Sequence, residues 1–137
     1  MVKAIIFDCF GVLISNDDGS KNDALLSWIN ELSKTYKIAV LSNVVSGGLN
    51  HYFSEEELEK YFDVTTTSGD AGYMKPDPEI YWHAAEQLEI EPSSCVFIDD
   101  TEGHCTGATD AGMHAIWYQN FEQAKMELEK LLNNPER

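Results

Sequence analysis

The sequence is poor in positive charge. Nine lysine and arginine side chains stand against 24 aspartates and glutamates, a formal net charge of −15 at pH 7. Such a surface argues against nonspecific binding to nucleic acid or to anionic membranes, so neither is expected as a partner. An anionic substrate would have to be drawn in by a local feature such as a metal ion, a lysine or a helix N-terminus. Cysteine is scarce too. Cys9, Cys95 and Cys105 make an odd count with no Cys-x-x-Cys, so neither a disulfide framework nor a zinc site is expected. No apolar run approaches the roughly 20 residues of a membrane span. The first carboxylate, Asp8, comes too early for the apolar core of a signal peptide. The expected location is the cytoplasm. No repeat, low-complexity segment or linker divides the chain, so residues 1–137 are read as one domain. A domain of that size buries roughly two thirds of its unfolded surface.

What is present alternates between two patterns. Buried-strand runs are Lys3 to Asp8, Lys37 to Leu41, the β-branched Asp63 to Thr67, Cys95 to Ile98 and His114 to Tyr118. Between them lie helical spacings. Leu25, Trp28, Ile29 and Leu32 share one face of a helix from Asn22 or Asp23 to about Lys34. Ser54 to Glu57 reads as a capping box opening a short helix. Asp77-Pro78 starts a helix carrying Tyr81, Ala84, Ala85 and Leu88. Thr101 is a candidate cap for a helix stopping near Gly112, and Asn120 with Gln123 for the last one. Ser15 to Ser20 reads as a loop or flap, Ser68 to Lys75 as a loop, and Asn133 to Arg137 as a frayed tail. The fold class is α/β, a doubly wound, parallel, five-stranded Rossmann-like sheet with right-handed crossovers.

In such sheets chemistry sits beyond the carboxyl ends of the strands. Four polar signals fall there: Asp8, Ser42 with Asn43, Lys75, and Asp99-Asp100. Carboxylates from two strands can hold a hard cation such as Mg²⁺. A lysine and a hydroxyl can bind phosphate oxygens. A carboxylate between metal and lysine can attack phosphorus and form an aspartyl-phosphate.

These stretches resemble the haloacid dehalogenase-like (HAD) hydrolase superfamily. The matching segments are Ile6 to Leu13, Val40 to Asn43, Gly72 to Pro78 and Val96 to Asp100, in the family's order, with Gly112 to Ile116 fitting its entry to the fifth strand. The resemblance implies Asp8 as nucleophile and metal ligand, Ser42 as a hydroxyl on the transferring phosphoryl group, and Lys75 as the cation steadying nucleophile and phosphate. It implies Asp100 as a direct Mg²⁺ ligand, with Asp99 as a ligand through water or in support. Asn43 would touch phosphate through its backbone or amide. The implied activity is Mg²⁺-dependent phosphatase or phosphotransferase chemistry on a phosphorylated substrate.

Three departures from the family pattern qualify that implication. Phe10 stands where HAD phosphatases carry a second aspartate, the acid that protonates the leaving group and later activates water. Its backbone carbonyl can still serve a metal, but general acid–base catalysis, worth ~10²–10⁴ in rate, is lost. Turnover is therefore expected to be low. Dehalogenases of the superfamily also have an aromatic there but lack the acidic pair. A dehalogenase-like hydrolase and a non-catalytic phosphate- and metal-binding domain stay as alternatives. The 33 residues between Asp8 and Ser42 leave no room for a large cap domain, so the site should be open or covered by a neighbouring subunit of a homo-oligomer. His104 replaces an asparagine common in relatives. It is either a surface histidine or a substitute acid or base.

Other residues have plainer readings. Cys9 and Cys95 are expected to pack inward, and Trp28, Trp117, Tyr81 and Phe97 to fill the core. Tyr73 precedes Lys75 within reach of substrate. His51, His83 and His114 show no ligand spacing, and Glu55 to Glu57 is a charge run that favours a helix start.

Overall fold

A computed structural model describes residues 1–133. Five parallel strands form one sheet: β1 (Ala4–Phe7), β2 (Lys37–Ser42), β3 (Val64–Thr67), β4 (Cys95–Asp99) and β5 (His114–Trp117), in the order β3-β2-β1-β4-β5. β1 is central, and the sheet winds outward from it in both directions. Residues 134–137, most of the tail read as frayed, lie outside the described residues.

Alternation along the strands divides the apolar residues between two cores. Ile5, Phe7, Ile38, Val40, Val96 and Ile98 face one layer of helices. That layer is α1 (Asp23–Leu32), α2 (Glu55–Tyr61) and α6 (Phe121–Leu132), which contribute Leu25, Ile29, Leu58 and Leu128. Ala4, Ile6, Ala39, Leu41, Cys95 and Phe97 face the other layer. Following the short α3 (Ser68–Ala71), α4 (Pro78–Leu88) and α5 (Glu102–Asp110) supply Ile80, Tyr81, Ala84 and Ala108 to that second core. Small residues on this face let the two helices lie close. A side chain on Gly107 would meet Pro76 and the Tyr81 hydroxyl within 3 Å.

The elements match the sequence reading closely at their caps. Asn22 accepts from Leu25 N–H at the start of α1. Ser54–Glu57 and Asn120–Gln123 form complete capping boxes on α2 and α6. Five readings need correction. Ser68 to Ala71 is a helical turn, because the Thr67 side chain accepts from Asp70 N–H and nucleates it. Asp77 and Thr101 hold their cap positions without a side-chain cap bond. Just before α5 the Asp99 carboxylate accepts from Thr101 N–H at 2.9 Å, which fixes the turn that leads into the helix. Trp117 is not core. It lies on an edge strand, 45% exposed, with its indole N–H donating to the Asp100 carbonyl at 3.0 Å. Trp28 is only half buried, against Phe121.

Candidate active site

The register of the parallel strands builds the site. Ala4 to Phe7 pair in step with Lys37 to Val40 on one side and Cys95 to Ile98 on the other. Asp8 N–H continues the ladder by donating to the Ile98 carbonyl at 2.9 Å. One residue further along that register, Asp8 stands beside Asp99, both directed to the Ile6 and Phe97 face. Side chains alternate, so Cys9, Ser42 and Asp100 are offset to the other face. Cys9 is fully buried in the first core, and burial beside Asp8 pushes its thiol up to about 12. It packs rather than reacts.

Lys75 enters between the two carboxylates from the loop before α4. Its side chain is 1% exposed, and its ammonium donates to Asp8 Oδ1 at 2.7 Å, Asp99 Oδ2 at 2.9 Å and the Leu41 carbonyl at 3.0 Å. These three bonds use all three ammonium protons. The lysine therefore holds the nucleophile candidate, and a contact to phosphate would require it to release one partner. Asn43 positions the loop. Its amide accepts from Lys75 N–H at 2.9 Å and donates to the Lys75 carbonyl at 3.1 Å. Its side chain is thus engaged in stapling the two loops, which leaves its backbone for any ligand.

The two carboxylates on Lys75 differ in proton affinity. Burial raises Asp8 to about 7, with the negative charge of Asp99 adding to it and Lys75 opposing it. Burial also acts on Asp99, but Lys75, the Thr101 N–H and His104 outweigh it and hold that carboxyl below the usual range. His104 is the group the sequence left between two roles. Its Nδ1 lies 3.1 Å from Asp99 Oδ2, and its ring is 23% exposed, so it belongs to the site's support. Asp100 is half buried and raised by its own burial and by Asp99. Asn16 on the flap donates to its Oδ2 at 3.4 Å. Together Asp8, Asp99 and Asp100 offer three carboxylate oxygens within 4.8 Å of one another.

Gly11 makes that arrangement possible. It adopts φ +91, and a Cβ built there would collide with the Asp100 carboxylate. Ser42 is buried, and its hydroxyl is without a hydrogen-bond partner among the described residues. A buried orphan hydroxyl is rare enough to call for a ligand or water. Phe10, by contrast, brings no polar side chain. Its ring packs edge-to-face on Tyr52 at 5.2 Å and 76°. His51, His83 and His114 take no part in the carboxylate cluster. Sequence reasoning missed Asn16 and the Trp117 indole, which reach Asp100's segment from residues 84 positions before and 17 after.

Fold and site together define the class. The model of the haloacid dehalogenase-like hydrolase family matches residues 5–118, and the chain belongs to that family. Among curated relatives it is 31% identical over 132 residues to mouse acyl-CoA dehydrogenase family member 10, covering 92% of this chain and 12% of that protein. It is 30% identical over 96 residues to the 6-phosphogluconate phosphatase of Escherichia coli, covering 69% of this chain and 41% of that one. The chain thus spans well under half the length of these relatives. Among solved structures, an uncharacterized protein from Corynebacterium glutamicum superposes with a TM-score of 0.84 at 26% identity, covering 97% of this chain and 96% of that one. The fold is also that of a HAD family enzyme from Bacteroides thetaiotaomicron solved with magnesium and inorganic phosphate. There the TM-score is 0.74 at 19% identity, with 87% of this chain and 95% of that one covered. Within residues 1–133 no cap domain interrupts the core, and none of the described helices is long and apolar enough to cross a membrane.

Proposed function

We propose that the protein is a Mg²⁺-dependent phosphohydrolase or phosphotransferase of low turnover, acting through an aspartyl-phosphate at Asp8. The observation that carries this reading is the three-carboxylate cluster bridged by a buried lysine beside an unpartnered hydroxyl. Clustered carboxylates repel one another, and a divalent cation removes that cost. The donor set is all hard oxygen, and Asp100 is partly open to solvent, which fits Mg²⁺. Asp8, Asp100, the Phe10 carbonyl and Asp99, directly or through water, would hold the ion. When bound, it neutralises phosphate charge and draws substrate to an acidic protein. The phosphatase relative and the neighbour solved with magnesium and phosphate support the same chemistry.

The residues divide the work. Lys75 fixes Asp8 and keeps its carboxylate available, with Asp99 and His104 holding the lysine in turn. An Asp8 oxygen attacks phosphorus, and the bond from phosphorus to the leaving oxygen breaks. Ser42 donates to a phosphoryl oxygen. Phe10 has no proton to give, so the departing oxygen takes one from water. Water then attacks the phosphorus of the aspartyl-phosphate, releases phosphate and restores the Asp8 carboxylate. No side chain at position 10 activates that water, so this second step is the slow one.

Halide displacement needs no proton and suits Phe10, but it gives no use for three clustered carboxylates. Incubation with acetyl phosphate and Mg²⁺, followed by mass spectrometry, tests the proposal. One added phosphoryl group on the protein, absent with chelator and absent in Asp8→Asn, is the expected result. Phosphate binding with no such adduct would mean a binding domain instead, and halide release from a 2-haloacid a dehalogenase. Phe10→Asp should raise steady-state turnover by about 10²-fold or more.

A further inference from the structure

The mouth of the site is bordered by apolar surface that the core does not need. Of the large apolar side chains that are exposed, Val45, Tyr52, Tyr73, Met74 and Trp117 lie on loops or strand ends at the carboxyl edge of the sheet. Three of them gather on one side. A cleft of about 430 Å³ opens between the segment after Asn43 and the segment before Lys75, lined by Val44, Val45, Gly72, Tyr73 and Met74. Its two walls are the segments that Asn43 staples together through the Lys75 backbone. The cleft is therefore walled by the chain segments that run directly on from Asn43 and into Lys75.

Its chemistry is selective by what it withholds. The Ser68 hydroxyl and the Gly69 N–H both donate to the Val44 carbonyl, at 3.2 and 3.0 Å, so neither greets a ligand. Asp77 is the charged group in the lining. The loops that follow the five strands carry only two cations, Lys75 and Lys21. Lys75 is spent on Asp8 and Asp99, and Lys21 is paired with Glu57 at 3.0 Å. A substrate with a second phosphate or a carboxylate would meet negative charge and no counter-ion. The walls are also held in place. A Cβ at Gly69 would collide with the backbone of Val45 and Ser46, so these segments are in close contact. A second cleft, of about 470 Å³ under the flap, is polar instead, lined by Ser15, Asn16, Ser20 and Lys21 among others.

We propose that the cleft between Val45 and Tyr73 is the leaving-group subsite and that it selects phosphomonoesters of uncharged aromatic alcohols. This rests on the phosphoryl-transfer reading above. The specificity would differ from that of a phosphatase acting on a sugar acid phosphate. It also suits Phe10, since an aryl oxygen leaves with less need of a proton than an alkyl one.

Binding to the unmodified protein with Mg²⁺, followed by calorimetry, separates the two readings without turnover, because a phosphonate has a carbon–phosphorus bond in place of the ester. The probes are methylphosphonate, naphthylmethylphosphonate, 3-phosphonopropionate and a hydroxylated alkylphosphonate. The naphthyl compound should bind about tenfold tighter than the methyl one, the gain expected from burying part of one ring. Tyr73→Ser combined with Met74→Ser should bring that ratio near one. Trp82→Ser, which removes an equally exposed aromatic far along α4, should leave the ratio unchanged. Equal binding of methyl and naphthyl compounds overturns the subsite alone. Tightest binding by the carboxylated or the hydroxylated compound also overturns it, the latter pointing to the flap cleft. If not even methylphosphonate binds, the phosphoryl reading falls and the subsite falls with it.

Discussion

The interior of the sheet and its carboxyl edge follow opposite rules. In the interior each strand presents apolar side chains to a helix layer, and backbone groups are paired along four parallel ladders. At the edge, a few residues further on, three carboxylates crowd together, a buried hydroxyl has no partner, and apolar side chains stand in solvent. Lys75 and the Asn43 staple hold this edge together, but the crowded carboxylates, the orphan hydroxyl and the exposed apolar side chains each cost the free protein stability. Stability sacrificed in one place, beside an interior that sacrifices none, marks where a ligand completes the structure.

That contrast can be broken by matched substitutions. Leu128→Ala in the first core and Lys75→Met at the edge should each cost about 3–5 kcal/mol in urea unfolding at pH 8, one through a cavity and the other through two buried carboxylates left unpaired. Their pH dependence should differ. Asp99 is held below its ordinary value, so its stabilising contribution is present above that value and lost as pH falls through the folded one. The cost of Lys75→Met should accordingly shrink as pH falls below 3.8 toward pH 2, whereas that of Leu128→Ala should not. An unchanged Lys75→Met cost across that range would mean that the lysine acts only by packing.

Magnesium should come next in size. At a concentration near 100 times its dissociation constant it should stabilise the protein by about 2.7 kcal/mol. The gain should be larger at pH 8 than at pH 6, because Asp8, raised to about 7, must lose its proton to accept the ion. Thermal melts with Mg²⁺ and with chelator measure it. Without metal the sign for Asp8 reverses. Its burial favours the protonated form, a contribution present below the unfolded value of 3.8 and lost as pH rises through about 7. Asp8→Asn should therefore raise metal-free stability at pH 8, by about 1–2 kcal/mol, while abolishing phosphoryl transfer. The smallest effect belongs to a residue after β5 with an ordinary structural task. Asn120→Ala removes the α6 cap and should cost about 1 kcal/mol, equally with and without Mg²⁺.

Much of this architecture was legible in the chain. Period-two and period-3.6 patterns placed the five strands and the main helices, and the polar residues closing Asp8, Ser42 and Asp99 fell where a parallel sheet puts its site. What escaped were contacts made across the fold. Asn43 reads as a phosphate contact through its backbone or amide, and the amide is engaged instead by the backbone of Lys75, 32 residues away. His104 was ambiguous because nothing local tells a ring on a helix that its nitrogen will meet Asp99. Trp117 read as core because an apolar strand pattern does not reveal that the strand lies at the edge of the sheet. The turn from Ser68 to Ala71 was hidden in a run of small residues whose cap, Thr67, belongs to a strand.

Gly11 gives the site a signature that can be checked in other chains. The volume its missing side chain would fill is the volume the Asp100 carboxylate occupies. The two residues are 89 positions apart in sequence and compete for one space. A homologue that acquires any side chain at this turn must move the carboxylate that follows its fourth strand. One inconspicuous turn position therefore reports on where that carboxylate can stand as directly as the aspartate itself does.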